Sequence, residues 1–368
     1  MGATLAELAL PASATPSQRR LFFAAGIIAA NLPDADLVYT RITAVPLGYM
    51  LHHRGHTHTV AGLVAQAALI GAICMLPAIR DRIGALRSRL AILVGLALAS
   101  HLLLDSWNSY GVHPFWPLSN AWLYGDAIFI AEPWLWVLLG VAAVMNAHST
   151  RTRFVVGGLL LLLASALTWS GMVGIVTLGV LGLGAFATTM ALVRLAPRAR
   201  SATALAATAV FVSGMFFASA SVKQRAVNAL PRGRTTEIVD VVLNPAAANP
   251  LCWSALAIVK DESAGEFVMT RGSVSLNDRI DCRSSGSGRI QWSAPLRQSL
   301  VDLRALVQAN CWARAWMQFG RAPVIGGGQI SDLRFGDGER GNFTTTPLGN
   351  AGCPARLTNW SPPREDLL

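Results

Sequence analysis

Charge is what this chain has least of. Only 14% of its 368 residues are charged, against 53% that are apolar, and the mean hydropathy is +0.45. A soluble domain carries about 25% charged residues. That excludes an ordinary soluble protein and calls for segments of membrane-spanning length. Residues 1–20 lack a basic stretch followed by an apolar core. No cleavable signal peptide is expected, and the first hydrophobic helix directs insertion. No CxxC pair occurs, which leaves a structural zinc site poorly supported. Internal repeats, heptads and a phosphate-binding glycine loop are absent as well. The glycines of residues 171–184 lie in apolar runs, where close helix packing accounts for them.

Histidine is also scarce, and its placement is informative. Of the 7 histidines, five fall in short runs at the edges of apolar segments. One run holds His52, His53, His56 and His58 around Arg54 and Gly55, and another runs from His101 to Asp105. A third run, Asn31 to Asp36, supplies Pro33, Asp34 and Asp36. Imidazole and carboxylate are ligands of hydrolytic divalent metals. Such groups beside hydrocarbon are costly and point to function.

Apolar segments lie at roughly 20–31, 60–79, 89–105, 128–147, 154–170, 172–193 and 203–222. The first is short and ends in a Pro-Asp turn, so six or seven helices are expected. Alternate loops carry Arg19, Arg20, Arg80, Arg82, Arg87, Arg89, Arg151, Arg153, Arg194, Arg198 and Arg200, whereas the others carry only Arg41 and Arg54. Positive charge stays in the cytoplasm, so this bias sets the N-terminus inside and all three ligand runs outside. The positive excess of the membrane part belongs to these loops, and the net charge of +10 needs no nucleic acid to explain it.

After residue 222 the long apolar runs stop. Alternating segments at 237–243, 253–259 and 266–276 read as strands, and 299–309 has helical periodicity. Gly326, Gly327 and Gly328 make a turn before a strand ending at Asp332 to Phe335. The expected organisation is a mainly α membrane helix bundle over 1–222 and an extracytoplasmic α+β domain over 223–368. Cys252, Cys282, Cys311 and Cys353 all fall in the second part. Outside the cytoplasm they form two disulfides, with three pairings open, or remain thiols. Cys74 reads as a small apolar residue in a membrane helix.

The spacing of His101 and Asp105 sets both on one helix face, their Cβ atoms about 5–6 Å apart, so one metal can take both. Pro33 stops its helix and lets Asp34 and Asp36 project from a turn. One can bind metal while the other bridges or orients, or serves as general base. Gly55 lets the backbone bend so that His53 and His58 converge. Arg54 suits a phosphate or carboxylate on a substrate. Each run alone has a plain structural explanation, as a cap, a solvated turn or a basic interfacial turn. Together they converge on one membrane face.

Several segments also carry a resemblance. They are Pro33 to Asp36, residues 53–59, residues 100–111 with Pro114 to Pro117, Tyr124-Gly125-Asp126, and Glu132-Pro133-Trp134. This pattern resembles the membrane-bound metal-dependent hydrolase family typified by YdjM, a LexA-regulated inner-membrane protein, distantly similar to zinc-dependent phospholipase C. Residues 249–253 and 332–335 resemble the extension of one branch of that family. The resemblance implies metal roles for Asp34, Asp36, His53, His58, His101 and Asp105, and a place in the bacterial inner membrane. His52 and His56 match no core motif position. Glu132 stands where the family has Asp. A Thr-His pair that usually precedes the stretch matching residues 2–7 is missing, so either the start lies further upstream or one metal ligand is absent.

The reading is a hydrolase using water activated by a divalent metal, zinc by ligand type, on a phosphoester or lipid-linked substrate at the bilayer surface. A non-catalytic membrane protein that binds or senses metal is the alternative. A transporter fits less well, because the polar residues gather at one surface rather than near the midplane.

Overall fold

The structure, a computed structural model, describes residues 1–40, 47–230, 236–277, 282, 290–336, 341–349, 364 and 367. Arg41 and Cys353 lie outside these residues. Helix α1 (Gly2–Ala9) folds back on α2 (Pro16–Asn31). Thr15 and Gln18 close a capping box at the start of α2, and Pro16 sits in its first turn, where no N–H is needed. Pro33 lacks the N–H that would extend α2, so the chain tightens into a 3-10 turn, Leu32–Ala35, before α3 (Asp36–Tyr39). Then come α4 (Gly48–His52), a 3-10 turn at His56–His58, α5 (Val60–Cys74), α6 (Pro77–Ile83) and α7 (Arg87–Ser106).

Beyond α7 the chain is irregular up to α8 (Pro133–Leu135), a π turn at Trp136–Gly140 and α9 (Val141–Asn146). Helices α10 (Thr150–Trp169), α11 (Ile175–Leu192) and α12 (Pro197–Ala229) complete the membrane part. Among the described residues five helical stretches are long and apolar enough to cross a bilayer, and six if α4 to α5, bent by 66°, counts as one broken span.

With the broken span counted the total is six, the lower of the two numbers expected, and the segment 128–147 accounts for the missing seventh. Glu132 caps a helix that starts only at Pro133, and the N–H groups of Ala127 and Ile128 are tied to the Trp107 carbonyl. What remains, Pro133–Asn146, is about 21 Å long, short of the roughly 30 Å of hydrocarbon. Helix α10 buries no residue, as expected of a helix apolar on all sides and facing lipid.

The bundle has two distinct ends. Arg19 pairs with Glu7 at 2.9 Å and reaches His148 at 3.3 Å, and Arg200 bonds Asn146 at 2.7 Å. The arginine-bearing loops thus gather at one end. The three ligand runs sit at the other, with the C-terminal domain.

That domain is built on an antiparallel sheet of β1 (Thr236–Ala246), β2 (Asn249–Asp261), β3 (Glu266–Ser275) and β4 (Gln291–Trp292), with β5 (Leu296–Ser299) also on β3. One face packs Val241, Leu243, Trp253, Ala255 and Ala257 on Val212, Met215 and Val222 of α12. At 33 residues α12 is about 50 Å long, so its final turns leave the bilayer and support the sheet. The other face packs Leu256, Ile258, Phe267 and Met269 against α13 (Leu300–Ala309) and α14 (Cys311–Trp316). Burial on both faces explains why β2 reads as an almost unbroken apolar run. Gly327 and Gly328, at φ +58° and +72°, turn β6 (Pro323–Gly326) into β7 (Gln329–Asp332), and β8 (Thr346–Pro347) pairs with β7.

The expected strands and helix appear with ends shifted by a few residues. Cys252 is bonded to Cys282, which selects one of the three pairings, and Cys311 is disulfide-bonded too. Cys74 is a free thiol. The core on the α13 face also holds Leu47, Met50 and Leu51 from α4 and Tyr110 from the loop after α7.

Candidate metal centre

The ends of α2 and α7 meet the start of α5 at one point. Helix α7 brings His101 and Asp105 to one face, with His101 Nε2 3.5 Å from Asp105 Oδ2. The 3-10 turn after α2 aims Asp34 at the same place, 3.5 Å from both His58 Nε2 and His101 Nε2. His58 arrives from the turn before α5. Thr59 caps α5 by accepting from Gly62 N, and its hydroxyl donates to the His56 carbonyl. A Cβ at Gly62 would lie 2.0 Å from that carbonyl oxygen, so only glycine lets the turn lie this close to the helix. His58 Nε2 then stands 3.1 Å from His101 Nε2 and 3.1 Å from Asp105 Oδ2.

The other ring nitrogens decide what these four atoms are. His101 Nδ1 donates to the Ala30 carbonyl at 2.7 Å. His58 Nδ1 faces Asp36 Oδ2 at 3.2 Å and Thr57 Oγ1 at 3.0 Å. Each Nδ1 therefore carries a proton, and with the rings neutral both Nε2 lone pairs point inward at two carboxylate oxygens. Four acceptors converge with no donor among them, and Asp105 Oδ2 is buried with no hydrogen-bond partner. A tetrahedral ion with ligands at about 2.0–2.1 Å needs them about 3.3–3.4 Å apart. Five of the six separations are 3.1 to 3.5 Å and bracket that edge, and all four atoms lie within 4.8 Å of one another. The residues present fit a divalent ion such as zinc.

Asp36 is fully buried and accepts on both oxygens. Its partners are His53 Nδ1 at 3.1 Å, Arg54 N at 3.0 Å, Thr57 Oγ1 at 2.7 Å and His58 Nδ1 at 3.2 Å. It fixes the His58 ring in the way a carboxylate behind a metal-bound histidine does. His53, stacked on Tyr49 at 4.8 Å, shares a second potential ligand group with Asp34 and Asp36. Asp34 belongs to both groups. It is also the open side of the site, with a side chain 43% exposed against 16% for Asp105, 11% for His101 and none for His58.

Arg54 lies behind the cluster. Its φ of +59° is the left-handed region, which a non-glycine residue adopts at a cost of about 1–3 kcal/mol. That conformation aims its N–H at Asp36. Its guanidinium donates to Asp105 Oδ1 at 2.7 Å, to Asn108 Oδ1 and the Asp105 carbonyl, each at 3.2 Å, and to the Gly111 carbonyl at 3.4 Å. Gripping an anionic substrate needs a guanidinium facing solvent, and this one is 4% exposed. Its place here is to turn Asp105 so that Oδ2 faces the ligands.

His52 packs edge-on to Tyr39 and His56 to Trp116, and neither joins a ligand group. Thr57, Asn108 and Tyr110 were not singled out from the sequence. The last two sit in the 100–111 segment that carries the resemblance. The Ala30 carbonyl has no side-chain signature at all.

Residues 1–176 match the model of the YdjM inner membrane protein family. The match covers the ligand runs and the helices up to the first turn of α11, and agrees with the YdjM part of the resemblance read from the motifs; it carries no hydrolase or phospholipase likeness. No curated protein matches the chain, and no solved structure does.

Proposed function

We propose that this membrane protein is a metal-dependent hydrolase whose divalent ion, zinc by the mixture of imidazole and carboxylate, is held by Asp34, His58, His101 and Asp105. The observation that carries the metal is the convergence of four acceptor atoms at tetrahedral separations with no donor between them. When bound, the ion supplies Lewis acidity and a water acidic enough to act as nucleophile near neutral pH.

The chain's own residues do the rest. Asp36 holds the His58 ring, the Ala30 carbonyl holds the His101 ring, and Arg54 holds Asp105. With all its partners in place Asp36 serves as an orienting group, while Asp34 holds the ion from the side open to water and substrate. His53, with Asp34 and Asp36, is placed to extend the ligand set toward a second ion.

The open side supports a substrate at the bilayer surface. Asp34 follows a helix whose Ile27 and Ile28 are exposed, Val38 is exposed one turn on, and Leu103 is exposed beside His101. All belong to membrane-length stretches, so the mouth of the site borders lipid. A phosphoester on a lipid or lipid-linked molecule suits that position. We also infer that the site and the C-terminal domain face outward. The arginines at the opposite end and the disulfides in the domain support this.

The test uses purified full-length protein with a soluble phosphodiester and with phospholipid vesicles, with and without chelator. Hydrolysis that chelator abolishes, zinc restores and His101→Ala loses is expected. Bound metal without turnover on either substrate class would favour the non-catalytic metal-binding alternative.

A further inference from the structure

We propose that the C-terminal domain is a working part of the metal centre, with Arg334 a positioning residue for the ligand Asp105. This rests on the metal reading of Asp105 and adds to it a dependence on a second, sequence-distant domain.

The connection is a continuous set of short contacts. The side chain of Arg334 is buried in the C-terminal domain and pairs with Asp332 at 2.8 Å. Nη2 also donates to the Phe319 carbonyl at 3.3 Å within the domain, and Nη1 crosses the junction. Nη1 donates to the carbonyls of Ser109 at 2.9 Å and Tyr110 at 3.3 Å. Those carbonyls belong to the loop leaving α7. In that loop Asn108 Oδ1 accepts from Tyr110 N at 2.9 Å and from Arg54 Nη1 at 3.2 Å. The Tyr110 ring lies 4.5 Å from the Arg54 guanidinium on one side and meets Phe319, Phe335 and Phe343 of the domain on the other. Arg54 Nη2 then holds Asp105 Oδ1 at 2.7 Å.

Two further contacts keep this relay from slipping. Helix α4, which leads directly into His53 and Arg54, has Met50 and Leu51 fully buried in the core with Trp316 and Phe319. Downstream, Arg321 grips Asp126 with two bonds of 2.8 Å and also bonds Asp240 at 2.7 Å. The domain therefore holds both the strand of chain that carries Arg54 and the loop against which Arg54 is braced. Groups that orient metal ligands change affinity by about 10–100-fold when altered. Arg334 acts one step further out, and an effect near the lower end, about tenfold, is expected.

Cobalt is the probe, because four-coordinate cobalt absorbs strongly in the visible and reports coordination geometry without any activity. Full-length protein in detergent is titrated with cobalt as wild type and as Arg334→Gln, Tyr110→Leu, Tyr110→Phe and Arg314→Gln. Among the described residues Arg314 bonds within the domain, to the Val307 and Gln308 carbonyls. Wild type and Arg314→Gln should show the same strong bands. Arg334→Gln and Tyr110→Leu should show weaker, shifted bands and about tenfold weaker binding, and Tyr110→Phe, which keeps the ring, should restore both. If Arg334→Gln fails to fold, the two Tyr110 variants decide. Folded Arg334→Gln or Tyr110→Leu with wild-type bands and affinity overturns the coupling. Wild type that gives no cobalt bands overturns the metal reading first, and the coupling with it.

Discussion

Asp36→Asn is the sharpest perturbation of this site, because it changes charge and donor pattern with almost no change of shape. Asp36 accepts from His53 Nδ1, Arg54 N, Thr57 Oγ1 and His58 Nδ1. An asparagine has one acceptor oxygen where Asp36 has two. The arrangement that keeps most bonds turns the amide nitrogen to His53 and leaves the oxygen to Arg54, Thr57 and His58. His58 then donates to a neutral amide instead of a carboxylate, and its Nε2 becomes a poorer ligand. Loss of such a partner weakens metal binding about 10–100-fold, which is about 1.4–2.8 kcal/mol. At free metal 100 times the wild-type Kd, bound ion stabilises wild type by about 2.7 kcal/mol, and a variant binding 100-fold more weakly by only about 0.4 kcal/mol. The assay is competition with a chromophoric zinc chelator, paired with thermal melting with and without EDTA. Wild type should lose stability in EDTA, and Asp36→Asn should hardly respond. A folded variant that binds zinc like wild type would refute the orienting role. Wild type indifferent to EDTA would leave the cluster as an imidazolium–carboxylate network.

Elemental analysis should find about one or two divalent ions in wild type purified without chelator, and His101→Ala with Asp105→Ala should lose most of that metal, since each supplies one inward-facing ligand atom. Equal metal in both would sink the ligand assignment. In intact cells, cysteines at the exposed positions Ser119 and Ser263 should react with an impermeant thiol reagent above the parent background, and one at Ser88 should not; labelling at Ser88 would reverse the orientation. Burial lowers the pKa of His113 from 6.5 to about 4. Its folded-state value lies below the unfolded one, so its contribution is intact above pH 6.5 and is lost as pH falls toward 4, at most about 3 kcal/mol. Stability measured across that window should fall less steeply in His113→Gln, and an unchanged slope would show that this histidine does not drive the loss.

Much of this was legible in the sequence because it is local or periodic. Apolar length marked the crossing helices, arginine placement separated the two ends of the bundle, and the i, i+4 spacing put His101 and Asp105 on one face. Alternation marked β1 to β3, and the glycines marked the β6–β7 turn. What escaped depends on distant partners. The segment 128–147 is apolar enough to span, yet Ala127 and Ile128 are bound to Trp107 and the helix starts late. Nothing near Asp36 distinguishes a ligand from an orienting carboxylate; that follows from donors supplied by residues 53 to 58. Arg54 has the composition of a substrate clamp, but it is buried, and Asp105 and the 108–111 loop take its Nη1 and Nη2. Arg321 and Arg334 pair with residues about 200 positions away and have no local signature.

The grip of Arg321 on Asp126 and of Arg334 on the loop after α7 has a consequence for biogenesis. Every proposed ligand has been synthesised by residue 105, but Arg334 emerges 229 residues later. At about 5–20 residues per second the ribosome takes roughly 10–50 s over that interval. Throughout it, the loop that braces Arg54 lacks its contact with Arg334. In the proposed orientation a centre assembled in that order closes last from its C-terminal side, and metal capture would follow translocation of the final domain.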